Sequence, residues 1–181
     1  MANSKTQDSN RLWKIDTSGV ISTTPVWIKK IILYPNAAGD SVLFKTWDEN
    51  SSAKSTKYLQ TTTTTANPYI QSTGNFTTTL VAAGDVIKVD YSSTTNNMYT
   101  YSVASRDSDN QITVDGYPAI TAEASKTYSW RVWTPTEFAY LIADGTEKKA
   151  FELDWTASPK NVPNMFVDTL TASAVVYVYL Y

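Results

Sequence analysis

Val175-Val176-Tyr177-Val178-Tyr179-Leu180-Tyr181 is the stretch on which the fold turns. An unbroken run of valine, tyrosine and leucine suits a pleated, half-buried surface, so these residues read as a β-strand. Successive side chains of a strand point to opposite faces. Val176, Val178 and Leu180 therefore share one face, and Val175, Tyr177, Tyr179 and Tyr181 the other. An uncharged, proline-free strand of this kind aggregates when its edge is left open. The fold has to pair it with neighbours and cover its faces. The closing residues thus belong to the core architecture, which predicts an all-β fold: an antiparallel β-sandwich, jelly-roll-like, with late and early strands side by side. The tyrosine row becomes a surface for an assembly to hide.

The early partner is Val26 to Tyr34, in which Val26, Ile28, Lys30, Ile32 and Tyr34 alternate with Trp27, Lys29, Ile31 and Leu33. Both faces turn apolar in its second half, as an interior sandwich strand requires. Pro35 to Asp40 is a turn cluster, and Ser41 to Trp47 is expected to return as the second arm of a hairpin. A shorter strand over Leu12 to Ile15 ends at the Ser18-Gly19 turn signal. Met165 to Leu170 and the closing run form a late hairpin. The two ends of the chain, 11–60 and 137–181, together make the sandwich.

Between them the pattern changes. Residues 48 to 67, with Asp48-Glu49-Asn50-Ser51-Ser52 and then Thr61 to Thr65, have little hydrophobic periodicity and read as a loop rather than an edge strand. From 67 to 133 short strands alternate with turn signals: Val86 to Tyr91, Met98 to Ser105, Gln111 to Val114 and Tyr128 to Trp133. That spacing predicts an inserted small β lobe, a barrel or hairpin stack. Thr134-Pro135-Thr136-Glu137 is a capping box that could open a short helix over 135–143. Phe138, Tyr140 and Ile142 also alternate as in a strand, so both readings stand. Phe151, Leu153 and Trp155 point inward from a further strand, opposite Glu152 and Asp154.

Composition sets limits on chemistry. The 181 residues contain no cysteine and no histidine. Disulfides, thiolate nucleophiles, Ser–His and Cys–His catalysis and histidine metal sites are excluded. A net charge of −2 gives no attraction for nucleic acid or anionic membrane. Lys29-Lys30 and Lys148-Lys149 are too short for a nucleic-acid patch. Met1 to Asn10 lacks an apolar h-region and is expected to be a polar N-terminal arm. No phosphate loop or nucleophile elbow is present. Asp107-x-Asp109-Asn110 starts like a calcium loop, but Pro118 stands where the bidentate glutamate belongs, so an Asx-rich hairpin turn is expected. Glu152 and Asp154 share a strand face, but that face is the solvated one, so they are not expected to form a glycosidase pair.

The aromatic content is 13%, with 6 Trp and 12 Tyr. Most of these residues alternate along strands as core residues do. Tyr117, Trp133, Tyr177, Tyr179 and Tyr181 are the candidate subunit-interface residues, since tyrosine and tryptophan are enriched where proteins meet. No catalytic, cofactor-binding or metal-binding residue is expected, and no cofactor.

Three stretches resemble structural proteins of tailed bacteriophages, of the head decoration or auxiliary capsid type. They are Trp27-Ile28-Lys29-Lys30-Ile31-Ile32-Leu33-Tyr34 through Ala38-Gly39-Asp40-Ser41-Val42 to Phe44; Asn164 to Ser173 with the Val/Tyr strand after it; and Ala83-Gly84-Asp85-Val86-Ile87-Lys88-Val89 through Tyr101-Ser102-Val103 to Gln111-Ile112-Thr113-Val114. Together they span about half the chain, as hairpin patterns rather than catalytic signatures. The resemblance implies a non-enzymatic virion structural protein, first a head decoration or cement subunit and second a neck or tail component. It would be made in the host cytoplasm and located in the virion. Its partners would be the major capsid protein or neighbouring copies of itself, in a homo-oligomer or lattice, with no direct nucleic acid and no membrane. The competing class is a carbohydrate-binding β-sandwich module that adheres to host glycans.

Overall fold

In the computed structural model, which describes residues 6–9, 12–65, 68–115, 119–143, 150–171 and 174–181, every regular element is a strand. The first five are β1 (Thr6–Ser9), β2 (Leu12–Ile15), β3 (Gly19–Ser22), β4 (Val26–Tyr34) and β5 (Ser41–Thr46). Six follow: β6 (Ser55–Thr65), β7 (Tyr69–Gln71), β8 (Val86–Ser92), β9 (Thr100–Ser108), β10 (Gln111–Val114) and β11 (Glu123–Trp133). The last are β12 (Thr136–Ile142), β13 (Phe151–Asp154), β14 (Lys160–Val162), β15 (Met165–Leu170) and β16 (Val175–Leu180). The chain divides into two units, Met1–Thr46 with Thr136–Tyr181, and Trp47–Pro135.

The first unit is a two-sheet antiparallel sandwich. One sheet runs β1-β2-β16-β4-β13, with β14 also paired to β4, and the other runs β12-β5-β15-β3. The pairings nest: β2 with β16, β3 with β15, β4 with β13 and β5 with β12. These are the rungs of one long hairpin, and rolling it adds the contacts β16–β4 and β15–β5. That order is a jelly roll. The early and late ends of the chain do share a hydrogen-bonded layer, with Val176 opposite Leu33 and Val178 opposite Ile31.

The expected local hairpins are corrected by this topology. β4 and β5 lie in different sheets, as do β15 and β16. The Pro35–Asp40 turn is therefore a corner that carries the chain from one sheet to the other. The core between the sheets holds Trp13, Ile28, Ile31, Leu33, Val176 and Val178 from one side and Val42, Phe44, Leu141, Met165 and Val167 from the other. Full burial of such side chains contributes roughly 1.5–3 kcal/mol each.

Strict alternation fails once in β4. Ile28 is buried, but the next inward residues are Ile31 and Leu33. The register against β16 slips between Tyr179, opposite Lys30, and Leu180, opposite Ile28. This bulge moves the inward phase from even to odd residues. The ambiguous 135–143 segment is strand β12, paired to β5, with Ala139 and Leu141 buried. A bulge between Glu137 and Ala139 brings the ring of Phe138 to 5.9 Å from Phe44. Pairing with β5 satisfies the backbone groups along one flank of this strand without a helix. Lys148-Lys149 lies outside the described residues. The expected polar arm is corrected in part, since Thr6–Ser9 pairs with β2.

The second unit is a closed six-stranded barrel, β10-β7-β6-β11-β8-β9. Its core packs Ile70, Ile87, Tyr101, Ile112, Tyr128 and Trp130, with Phe76 stacked on Trp130 at 5.6 Å. The barrel begins earlier than the expected lobe, at Trp47, because the loop assigned to 48–67 contains β6, the 11-residue strand between β7 and β11. Thr62 and Thr64 point inward and are buried. Their hydroxyls donate to the Gln60 and Thr121 carbonyls, leaving the methyl groups to pack. Repeated threonine here is a β-branched strand, not low-complexity linker.

Candidate functional site

Strand β16 sits between β2 and β4, so both flanks are paired and one face is sealed by the sandwich core. The other face is the tyrosine row. Tyr177 lies between Ile32 and Lys14, and Tyr179 between Lys30 and Leu12. The Tyr177 ring meets Tyr34 edge-on at 5.5 Å, the geometry aromatic pairs favour. Leu12, Lys14, Tyr34, Val175, Tyr177 and Tyr179 line a shallow depression of about 430 Å³. Tyr177 is half-buried, whereas Tyr179 is 37% and Tyr181 74% exposed. The Lys29 ammonium stands 4.7 Å from the centre of the Tyr181 ring.

The rim of this strip is charged. Lys30 bridges Glu152 at 3.2 Å and Asp154 at 3.0 Å. Hydrogen bonds from the Thr156 side chain and backbone, and then from Lys30, push the Asp154 carboxyl down to about 2. The hydrogen bonds that Lys30 makes to Asp154 and then to Glu152 raise its own value. The two carboxylates thus share one cation on an outer face. The strip thus has an aromatic centre and a charged rim.

The other candidates fare differently. Trp133 is 3% exposed, donates from Nε1 to the Ser51 carbonyl at 3.3 Å, and has the Arg131 guanidinium 4.9 Å from its ring. This corrects its assignment as an interface residue, because almost no ring surface is free. Tyr117 lies outside the described residues. Asp107 accepts hydrogen bonds from Ser105, Gln111 and Thr113, and Arg106 bridges Asp109, so the acidic run is a locked hairpin turn. Among the described residues no group of three acidic side chains could hold a metal ion.

A buried polar network in the barrel was not anticipated from sequence. Glu123 accepts hydrogen bonds from Thr94, Asn96, Asn97 and Tyr128. Asn97 also accepts from the Thr121 N–H at 2.6 Å and donates to the Thr121 carbonyl at 2.8 Å. Burial pushes the Glu123 carboxyl up, but the four donors outweigh it and hold the group below its ordinary value. Burial and the neighbouring Glu123 raise the Tyr128 phenol, which remains a neutral donor. Thr95 and Asn97 take left-handed φ values of 60° and 57° to reach these positions. These bonds fasten the β8–β9 loop to β6 and β11.

Comparisons with protein-family models, with curated proteins and with solved structures found no match to this chain. Function therefore has to be argued from the surface itself.

Proposed function

We propose that this chain is a non-enzymatic structural subunit of a virion, first a head decoration or cement protein and second a neck or tail component. The observation that carries the reading is the tyrosine strip on the outer face of the jelly roll. It is shallow, backed by the sandwich core and rimmed by charge, and it lies on strands paired on both flanks, so its contacts come from side chains and not from strand addition. Jelly rolls recur in viral capsid domains, where subunits repeated by symmetry make modest interfaces strong. The absence of histidine and cysteine supports a role in which no reaction is required. The partner is a neighbouring copy or the major capsid protein.

Sedimentation of the purified full-length chain, alone and with assembled shells of the encoding virus, tests this. Self-association or co-sedimentation at micromolar concentration is expected, and Tyr179→Arg should abolish it. A chain that stays monomeric and leaves the shells bare would overturn the reading. Electron cryomicroscopy of the particle separates head from neck or tail.

A further inference from the structure

The barrel carries a second surface of different chemistry, a cleft of about 560 Å³ across β6, β7, β10 and β11. It falls within the roughly 300–1,000 Å³ range of small-molecule sites. Its lining consists entirely of serine, threonine, asparagine and glutamine. No lysine or arginine would recognise an anion, no carboxylate would hold a cation, and no apolar side chain would favour a hydrophobic ligand.

The amides are oriented before any ligand arrives. Asn75 donates from Nδ2 to Gln60 Oε1 at 3.1 Å and to the Ser72 hydroxyl at 2.9 Å, which leaves its Oδ1 as an acceptor. Asn110 accepts the Gly74 N–H at Oδ1, 2.7 Å away, which leaves its Nδ2 as a donor. Gln71 donates to Gln111, which in turn donates to Asp107, so the Gln71 Oε1 is the remaining acceptor of that chain. The hydroxyls of Thr61 and Ser125 can serve either way. The wall therefore offers fixed donors and acceptors side by side, the complement of sugar hydroxyls, which both donate and accept.

The backbone supplies a second observation. The β6–β11 ladder slips register twice, between Glu123 and Lys126 and between Tyr128 and Trp130. Ser125 in the first slip has φ 52° and Leu59 in the second has φ 51°, both in the left-handed region disfavoured for these residues. Bulges and local strain gather where a surface is shaped for binding.

The geometry points to a binding site for an uncharged glycan in this cleft, independent of the tyrosine strip on the sandwich. The test is an array of neutral oligosaccharides with their sialylated and sulfated counterparts, probed with the full-length chain. Two variants accompany it, Gln71→Ala, which removes one acceptor together with the amide that holds Gln111, and Thr61→Arg, which fills the cleft from an exposed strand position. Folding of both is checked by near-ultraviolet circular dichroism. Binding confined to neutral glycans is expected, about tenfold weaker in Gln71→Ala and absent in Thr61→Arg. No signal from neutral glycans, a preference for the acidic counterparts, or binding that survives Thr61→Arg in a folded chain would each overturn the assignment. Tyr179→Arg should leave glycan binding unchanged.

Discussion

The sandwich and the barrel solve the same problem, how to leave no long apolar strand edge exposed, in two ways. The barrel closes on itself and has no edge. The sandwich keeps edges but places its most aggregation-prone strand, β16, in the interior of a sheet. The two also share a local device. Ala37-Ala38-Gly39-Asp40 and Ala82-Ala83-Gly84-Asp85 are identical in sequence and form the same turn before β5 and β8. Gly39 and Gly84 have φ 81° and 82°, and each aspartate accepts a hydrogen bond from the backbone N–H three residues before it. Only glycine adopts that φ without strain. The same four residues thus turn a corner between sheets in one unit and enter a barrel in the other. Local chemistry fixes the turn, and the strands it joins decide what the turn is for.

The largest expected effects come from separating the two cores, which have no residue in common. Thr46 and Thr136, the last and first sandwich residues around the barrel, are register partners. The barrel closes its own ends, with Ser55 opposite Val132 and Lys54 donating to the Val132 carbonyl at 2.7 Å. Replacing residues 47–135 by an Asn-Gly turn should therefore leave a cooperatively melting sandwich. In the full chain, Trp130→Ala should cost about 3–5 kcal/mol and lower one calorimetric transition, and Phe44→Ala should lower the other. A single transition shifted by both variants would show that the units unfold as one.

The paired turns sharpen the comparison at the next level down. Asp40 accepts from two backbone N–H groups, those of Asn36 and Ala37. Asp85 accepts from Ala82, from the Thr134 hydroxyl and from Lys54 at 2.7 Å, and it is 2% exposed. Asp85→Ala should cost about 3 kcal/mol, at the low end for breaking a buried ion pair because the lysine is partly solvated. Asp40→Ala should cost about 1–2 kcal/mol. Equal losses in chemical denaturation would mean that the extra partners of Asp85 contribute nothing.

Acid should distinguish the units further. The native carboxyl of Glu123 is held below its ordinary value, so its contribution is present above about pH 4.3, the unfolded value, and is lost as pH falls through the folded one. The barrel transition should weaken below about pH 4. Glu123→Gln should cost about 1–3 kcal/mol at pH 7, because one amide N–H then faces a donor, and should flatten the acid dependence. An unchanged pH profile in that variant would assign the acid lability to other carboxylates.

Sequence reasoning went furthest where alternation was strong. The Val175–Tyr181 run located both the sandwich and its interior strand, because burial of one face leaves little choice of register. It failed at bulges. The inserted residue in β4 shifted which side chains face inward, and no residue type between Val26 and Tyr34 announces it. It also failed at β6, where five consecutive threonines show no apolar period, yet barrel closure buries two of them with satisfied hydroxyls. The glycan cleft was illegible for a related reason. Gln60, Gln71, Asn110 and Ser125 are distant in sequence and ordinary in type, and only the barrel order β10-β7-β6-β11 brings them together.

The smallest expected effect on stability belongs to Tyr181. Tyr181 is 74% exposed, its backbone N–H donates to the Trp27 carbonyl at 2.9 Å, and its ring meets the Lys29 ammonium. Tyr181→Ser keeps the backbone bond and loses one exposed cation–π contact, so monomer stability should change by about 0.5–1 kcal/mol or less. If the strip is the assembly surface, the same ring becomes desolvated between partners, where removing an aromatic anchor costs about 2 kcal/mol or more in binding. Tyr177→Ala inverts the ratio. Its ring is half-buried against Tyr34, so it should cost more in folding while changing the same surface. Measuring melting temperature and self-association for both variants therefore separates a packing role from a contact role. Tyr181→Ser should weaken association at nearly constant melting temperature, whereas loss of both properties in parallel would make the tyrosines part of the sheet and not an interface.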